Sequence, residues 1–166
     1  MLELRLYKST DAQIIVKWLK NEYAFRQWSA DRYENYPITA DDMNNYCSQY
    51  SDKDLCKLTA VDENGIIGHL TIRFIDEARK TARLGFVIVD DTKRGQGYGK
   101  QLVSLAVAYA FDKLKADKVT LGVFENNASA IRCYLSCGFK TVEKEYIESY
   151  PCMGEIWNCI EMELNR

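Results

Sequence analysis

The sequence predicts a single α/β domain that spans residues 1–166 and contains a mixed, mostly antiparallel sheet flanked by helices. Strand-like and helix-like apolar patterns follow one another in the order β-α-α-β-β-β-α-β-α-β-β. An Asp-Glu-Asn-Gly turn at residues 62–65 joins two apolar runs and predicts an antiparallel hairpin. A long helical pattern between the fourth and fifth strands predicts one right-handed β-α-β crossover, which makes those two strands parallel.

The first third of the chain contains one predicted strand and two predicted helices. Residues 2–6 alternate leucine with charged side chains, which is typical of a strand. A capping-box pattern at residues 10–13 opens a helix, and Thr39 caps another that ends near residue 50. Residues 22–28 are rich in aromatic side chains and are assigned to no element. Four apolar residues share one face of the first helix: Ile14, Ile15, Trp18 and Leu19.

Three predicted strands follow, at residues 55–61, 66–75 and 82–89. Alternation along the second of these puts one set of apolar side chains on a common face: Ile66, Leu70, Ile72 and Phe74. His69, Thr71 and Arg73 then lie on the other face, where a lone histidine is more often structural than catalytic. The last of the three strands places Leu84, Phe86 and Ile88 on one face.

The remaining elements are a helix from residue 97 to about 115, a strand at 118–124, a helix at 128–137 and two closing strands at 139–150 and 155–164. The long helix is apolar around much of its circumference and is expected to pack flat on the sheet. Asn127 is a good N-cap for the second helix, and Gly138 stands where its C-cap favours a positive φ.

Composition and charge exclude several classes of function. A net charge of −2, from 22 basic and 24 acidic residues, argues against a nucleic-acid-binding surface. The longest mostly apolar run, residues 102–111, is too short to span a bilayer, and the N-terminus has no signal-peptide core, so we expect a cytoplasmic protein without a membrane partner. Six cysteines without a C-x-x-C pair, and a single distant histidine, predict reduced thiols and no metal site.

A glycine-rich turn separates the fourth predicted strand from the long helix. Gly95, Gly97 and Gly99 occupy every second position between Arg94 and Lys100. Glycines let a phosphate approach the backbone closely, and the free N–H groups at a helix start attract an anion. The spacing fits neither a dinucleotide fingerprint, which needs a glycine at position 100, nor a nucleotide P-loop. The turn is therefore predicted to bind a different phosphate-containing ligand, unless it is a plain turn.

Two motifs resemble those of one enzyme family. Residues 94–99, Arg-Gly-Gln-Gly-Tyr-Gly, match the pyrophosphate signature [QR]-x-x-G-x-[GA] of the GNAT superfamily of acyl-CoA-dependent N-acyltransferases. The second motif, N-x-x-A-x-x-x-Y-x-x-x-G-F, is matched by Asn127, Ala130, Tyr134, Gly138 and Phe139. The resemblance is specific over about residues 82–140, and the chain as a whole is similar to the branch that contains ribosomal-protein N-terminal acetyltransferases.

This resemblance implies a fold and an acetyl-CoA site. The fourth and fifth strands are expected to splay apart, so that the pantetheine arm pairs with backbone groups of Val87, Ile88 and Val89. The pyrophosphate is expected to lie on the turn, which consists of Arg94, Gly95, Gln96, Gly97, Tyr98, Gly99 and Lys100. Asn127 is expected either to contact the cofactor as well as capping its helix, or only to cap.

The chemistry implied by the resemblance is direct attack of a neutral amine on the thioester in a ternary complex. A backbone N–H at Val89 or its neighbour would stabilise the oxyanion. Tyr134 would protonate the departing thiolate or donate a hydrogen bond to it, unless it is only a core tyrosine. The ribosomal-protein branch has a glutamate where this chain has Gly122, and Glu125 is expected to be solvated. A general base is therefore unassigned, and it is either unnecessary or acts through water.

The expected function is acetyl transfer from acetyl-CoA to a primary amine of a small molecule or a protein N-terminus. The resemblance places the acceptor slot among the first two helices, their loop and the last hairpin. Aromatic residues there either line the slot or pack the core: Phe25, Trp28, Tyr33, Tyr36 and Tyr150. Two alternatives are a non-catalytic acyl-CoA-binding sensor or regulatory subunit, and a nucleotide-binding adaptor. The sequence leaves the oligomeric state open, a homodimer included.

Overall fold

A computed structural model describes all 166 residues. One eight-stranded sheet has the order β1-β2-β3-β4-β5-β8-β6, and β7 pairs with β8. The strands are β1 (Glu3–Leu6), β2 (Cys56–Asp62), β3 (Gly65–Phe74), β4 (Thr81–Val89), β5 (Lys118–Phe124), β6 (Lys140–Thr141), β7 (Glu148–Cys152) and β8 (Glu155–Asn165). The helices are α1 (Ala12–Ile15), α2 (Glu22–Ser29), α3 (Ala40–Ser48), α4 (Tyr98–Ala108) and α5 (Ala128–Ser136).

The sheet is mostly antiparallel, and its one parallel pair is β4 with β5. The predicted hairpin at residues 62–65 joins β2 to β3, and Gly65 has a φ of +119°. Helix α4 continues through a π turn (Tyr109–Lys113) before the chain enters β5. The predicted mixed sheet with flanking helices is therefore confirmed.

Helices cover both faces of the sheet. On one face α4 and α5 pack onto the strands through a core that includes Leu102, Ala106 and Tyr134. On the other face α1, α2 and α3 form a second core, which includes Ile15, Phe25 and Met43. Since both faces are covered, the central strands are buried on both sides, and β4 and β5 lie between two helical layers.

The strands β4 and β5 pair over only three residues each, from Thr81 with Lys118 to Arg83 with Thr120. Beyond this point β4 continues to Val89 and β5 to Phe124, but the two strands no longer pair with each other. On its other side, β5 stays paired with β8 up to Phe124. The two central strands therefore splay apart as predicted, and a gap opens between their carboxyl ends.

Two of the predicted strand faces are wrong, because the strand pairings β3–β4 and β2–β3 each contain an irregularity. Thr71 pairs with Gly85 and His69 with Ile88, so β4 contains one extra residue, and Phe86 has a φ of +50°. Leu84 consequently packs with α4 and α5, whereas Phe86 and Ile88 pack with the helices of the opposite face. Ile66, which lies beyond a second irregularity where β3 has one extra residue relative to β2, likewise packs opposite to Leu70, Ile72 and Phe74.

Other differences from the predictions are local. Residues 22–29 form the helix α2, which is capped by the Asn21 side chain. The first helical segment begins with a 3-10 turn at residue 9 rather than with a Thr10 cap, because the Asp11 carboxylate accepts the Lys8 N–H. The single strand predicted at 139–150 is two strands, and Pro151 lies in β7, opposite Ile156 of β8.

Candidate active site

The glycine-rich turn has the backbone conformation that its glycines permit. Gly95 and Gly97 have φ values of +76° and +83°, and a Cβ at either position would meet no atom within 4 Å. Gly97 is the N-cap residue of α4 and has a left-handed backbone conformation. Because it has no side chain, the first N–H groups of this helix receive no side-chain cap. At Gly99 an added Cβ would make an ordinary van der Waals contact with the Cys133 sulfur, at 3.5 Å, so α5 packs against the start of α4.

The amides of this turn are free to bind an anion. None of the backbone hydrogen bonds outside the helices and strands is donated by a residue from Arg94 to Lys100. The first helical donor that follows is the Gln101 N–H, which bonds the Gly97 carbonyl at 3.1 Å. Arg94 and Lys100 are exposed on either side. Unpaired N–H groups at a helix N-terminus, flanked by two cations, fit the diphosphate of acetyl-CoA.

The residues predicted to align the pantetheine arm lie along the open edge of β4. Val87 and Val89 pack against the α4 and α5 core, whereas Ile88 is buried against the opposite helices. On the β3 side, Ile88 pairs with His69 and Val89 with Gly68. The side toward β5 has no strand partner in this region. The open edge can therefore pair with an extended amide-containing chain.

Tyr134 lies on α5 and is buried, with 8% of its surface exposed. It belongs to the same core against which Val87 and Val89 pack, and its ring meets that of Phe139 at 62° with centroids 6.1 Å apart. Burial, together with the neighbouring Cys133 and Cys137, raises the pKa of Tyr134 above its usual range. The phenol therefore keeps its proton and is a hydrogen-bond donor at neutral pH.

Asn127 is the N-cap of α5. Its side-chain oxygen accepts the N–H of Ala130 and the hydroxyl of Ser129, each at 3.3 Å. The predicted capping role is therefore confirmed. Contact of the carboxamide with the cofactor remains a prediction.

A cleft of about 660 Å³ opens on the other face of the sheet, over the splayed ends of β4 and β5. Its walls come from α2, α3, the β4 bulge and the β7–β8 hairpin, and its aromatic residues are Trp28, Tyr46, Tyr50, Phe86, Phe124 and Tyr150. Trp28 is fixed because its indole N–H donates to the Phe86 carbonyl at 3.0 Å. Tyr134 does not line this cleft, so the gap between β4 and β5 separates the acceptor side from the tyrosine side.

Of the aromatic residues expected at the acceptor slot, Trp28 and Tyr150 line the cleft. Phe25 and Tyr33 are buried in the core of the α1–α3 face, and Tyr36 packs against it. The sequence reasoning missed Tyr46, Tyr50 and Phe86. Aromatic character alone could not distinguish these cleft-lining residues from buried core residues, because aromatic residues of both kinds pack on this face of the sheet.

The position of the missing glutamate is occupied by an ion pair. Arg83 reaches over Gly122 and binds Glu161 through two hydrogen bonds of 2.5 and 3.2 Å. A Cβ at Gly122 would lie 2.8 Å from an Arg83 guanidinium nitrogen and 2.9 Å from the Cys159 sulfur. A side chain at position 122 would therefore displace the Arg83 guanidinium or the Cys159 thiol. Glu125 is exposed and accepts a hydrogen bond from Asn158 at 3.1 Å.

His69 lies away from the cleft. Its ring is fully buried and packs edge-on against Tyr7, with ring centroids 5.4 Å apart. Burial lowers the pKa of His69 to about 4, so the ring is neutral at physiological pH.

Elsewhere, no group of three or more metal-ligating side chains is assembled. No helix is both long and apolar enough to cross a membrane.

Known proteins provide an independent comparison. A sequence model of the acetyltransferase (GNAT) family matches residues 17–139. The spermidine N(1)-acetyltransferase of Vibrio cholerae is 23% identical over 138 residues, which cover 83% of this chain and 78% of that protein. An uncharacterised N-acetyltransferase, YokL, of the SPbeta prophage of Bacillus subtilis is 28% identical over 107 residues, 63% of this chain and 59% of that protein. The aligned region thus spans less than two thirds of the YokL length.

The fold has a close match among solved structures. The crystal structure of the Vibrio cholerae spermidine N-acetyltransferase in complex with CoA and spermine superposes with a TM-score of 0.82 at 23% identity, over 99% of this chain and 95% of that one. The family resemblance inferred from the two motifs is confirmed, whereas the finer resemblance to the ribosomal-protein branch has no support in these matches. The chain belongs to the acetyltransferase (GNAT) family, whose enzymes are acetyl-CoA-dependent N-acetyltransferases.

Proposed function

We propose that this protein transfers an acetyl group from acetyl-CoA to a primary amine, in a ternary complex across the gap between β4 and β5. The observation that carries the proposal is the position of this gap between two different sites. On one side lie Tyr134 and the free amides of the glycine-rich turn, and on the other lies the aromatic cleft. Two substrates could therefore meet there from opposite faces.

The proposed reaction forms a C–N bond between the amine and the acetyl carbon and breaks the C–S bond. A backbone N–H at Val89 or its neighbour stabilises the developing oxyanion. Tyr134 donates a hydrogen bond to the departing sulfur, and its raised pKa keeps this proton available. The amine loses its extra proton to water. Turn residues 94–100 hold the diphosphate, and backbone groups of Val87, Ile88 and Val89 align the pantetheine arm.

None of the carboxylates in the cleft is assigned as the general base, and the amine is therefore proposed to lose its proton to water. Glu161 is bound by Arg83, and Glu148 accepts the Tyr150 hydroxyl at 2.5 Å. The α-amine of a peptide, with a pKa near 8, is about 10% neutral at pH 7, whereas a lysine-like amine is below about 0.1%. The arrangement therefore favours an α-amine, which needs little help in deprotonation. The cleft volume fits a small molecule.

A protein N-terminus also presents an α-amine and remains the second candidate acceptor, as the resemblance to the ribosomal-protein branch implied. We further propose that residues 1–166 act as one domain in the cytoplasm. Support for this location comes from the six cysteines, all of which are free thiols, as a reducing compartment keeps them. Homodimer formation remains a prediction, which light scattering of the purified protein tests.

Release of free CoA thiol in the presence of an amine panel tests the proposal. We expect acetyl-CoA to raise the melting temperature and at least one primary amine to release thiol. Binding of acetyl-CoA without turnover on any amine or N-terminal peptide would instead favour the acyl-CoA sensor. Stabilisation by ATP but not by acetyl-CoA would favour the nucleotide-binding adaptor.

A further inference from the structure

Three arginines meet at one end of the aromatic cleft. Arg73 on β3 and Arg83 on β4 are direct cross-strand partners, and Arg32 comes from the segment after α2. Like charges at directly opposite positions of a sheet destabilise it. The protein therefore keeps an unfavourable cluster of positive charge next to the site where the acceptor is proposed to bind.

Only one of these guanidinium groups has a strong acidic partner. Arg83 binds Glu161, and Lys144 approaches the same carboxylate at 3.7 Å. Arg32 has a weak partner in Asp31, at 3.9 Å. No carboxylate forms an ion pair with Arg73, whose pKa is lowered by burial and by the charges of Arg32 and Arg83. Arg73 is thus a cation at the cleft without a counter-charge.

The other carboxylates that line the cleft form no ion pair with Arg73 and accept hydrogen bonds from neutral hydroxyls instead. Glu148 is held by the Tyr150 hydroxyl, and Asp54 accepts the Ser51 hydroxyl at 2.7 Å. Arg73 instead lies near the phenol rings of Tyr46 and Tyr50. An anion that enters between these rings would meet Arg73 and Arg32 together. Arginine is well suited to bind a carboxylate or phosphate through two parallel hydrogen bonds.

We propose that the amine acceptor carries an anionic group, a carboxylate or a phosphate, which Arg73 and Arg32 bind while the amine points to the gap beside Phe86 and Gly122. This inference rests on the proposed acetyltransferase function and names its substrate class. Arg83 and Phe86 are three residues apart on β4, which corresponds to roughly 10 Å of strand. Arg73 lies directly opposite Arg83, and its side chain covers much of that length. An amino acid or a short peptide therefore spans the distance from the arginines to the gap beside Phe86.

The same cluster disfavours a polyamine. Spermidine or spermine would bring further positive charges toward Arg73 and Arg32, and Glu161 of the cleft is already paired with Arg83. The aromatic walls formed by Trp28, Tyr46 and Tyr50 add apolar surface for the body of the acceptor. The cleft therefore combines an anion subsite with an apolar wall.

Matched acceptors separate the two substrate classes. Phenylalanine and phenethylamine share an amine and a ring and differ by one carboxylate, and spermidine is the polycationic comparison. We expect kcat/KM, measured by CoA thiol release, to be at least about 10-fold higher for phenylalanine, because charge-assisted hydrogen bonds contribute about 1.5–3 kcal/mol. Arg73→Gln should abolish this preference by raising KM for phenylalanine far more than KM for phenethylamine. Lys17→Gln, which removes an exposed lysine remote from the cleft, should leave both unchanged.

Non-reactive ligands provide a readout that does not depend on turnover. In the CoA complex, 3-phenylpropanoate or phenyl phosphate should raise the melting temperature of the wild type but not of Arg73→Gln. The ligand with the larger increase shows whether the subsite prefers a carboxylate or a phosphate. Equal or better turnover of phenethylamine or spermidine, or anion effects that Arg73→Gln leaves intact, would overturn the inference. Failure of acetyl-CoA itself to bind would overturn the proposed function instead.

Discussion

Arg83 and Glu161 form a two-bond ion pair that crosses β5 directly above Gly122. The two residues lie on β4 and β8, and both side chains are largely buried. Their bridge passes over Gly122, where an added Cβ would lie 2.8 Å from an Arg83 guanidinium nitrogen. The absence of a glutamate at position 122 and the presence of this ion pair are therefore a single structural feature.

Gly122→Glu should damage the site rather than supply a general base. Its Cβ would lie within 3 Å of the Arg83 guanidinium and the Cys159 sulfur, so the ion pair must move. We expect urea unfolding to show a loss of about 1–3 kcal/mol, as for other overpacked sites, and kcat to fall. Gly122→Ala should show a smaller loss of the same kind. A variant with raised kcat and unchanged stability would contradict this account of position 122.

Tyr134→Phe should lower kcat and preserve acetyl-CoA affinity. A hydrogen bond to a charged group contributes about 1.5–3 kcal/mol, which corresponds to roughly a 10- to 150-fold loss of rate. Because the folded protein raises the pKa of this phenol, its proton is lost only above the usual tyrosine range. The wild-type rate should therefore not decline through tyrosine ionisation below about pH 10. An unchanged kcat in the variant would leave Tyr134 as a core residue only.

Gly97→Ala tests the glycine-rich turn against a matched control. Gly97 and Gly154 have φ values of +83° and +78°, and a Cβ added at either position would have no other atom within 4 Å. Each alanine substitution should therefore cost about 1–2 kcal/mol of backbone strain. Only Gly97→Ala should also weaken acetyl-CoA binding, as measured by calorimetry. Equal affinities in the two variants would argue against a role of this turn in binding.

Stability should fall between pH 7 and pH 5 because of His69. Burial lowers its folded-state pKa to about 4 from 6.5, so the unfolded chain takes up a proton first as the pH falls. The stabilisation is complete above pH 6.5 and is lost toward pH 4, with about 2 kcal/mol gone at pH 5. His69→Leu should flatten this part of the urea-unfolding profile. A variant with the same pH dependence as the wild type would assign the loss to other groups.

Short sequence patterns correctly predicted the turns and helix caps, which depend on neighbouring residues in the chain. The hairpin at residues 62–65, the Asn127 cap and the free glycine-rich turn follow from short stretches of sequence and are all found in the structure. The face of β3 that carries Arg73 was also predicted correctly, since Arg73 lines the cleft. What its side chain meets there depends on α3 and on β4, which lie elsewhere in the sequence.

The β4 bulge and the Arg83–Glu161 pair could not be predicted from the sequence. Both faces of β4 are covered by helices, so the alternation of Leu84, Phe86 and Ile88 looks the same whether or not the strand bulges. The positive φ of Phe86 falls on a residue type that gives no local signal for it. The ion pair requires the strand order β4-β5-β8, which joins residues 78 positions apart in the chain.

Amide chemical-shift perturbation on titration with acetyl-CoA tests the central claim most directly. The claim is that the unpaired N–H groups of residues 94–100 hold the diphosphate of the acetyl donor. We expect the largest shifts in this turn, at Gly95, Gly97 and Gly99 above all, with further shifts along the open edge of β4. Saturable binding that leaves these amides unperturbed would contradict the account.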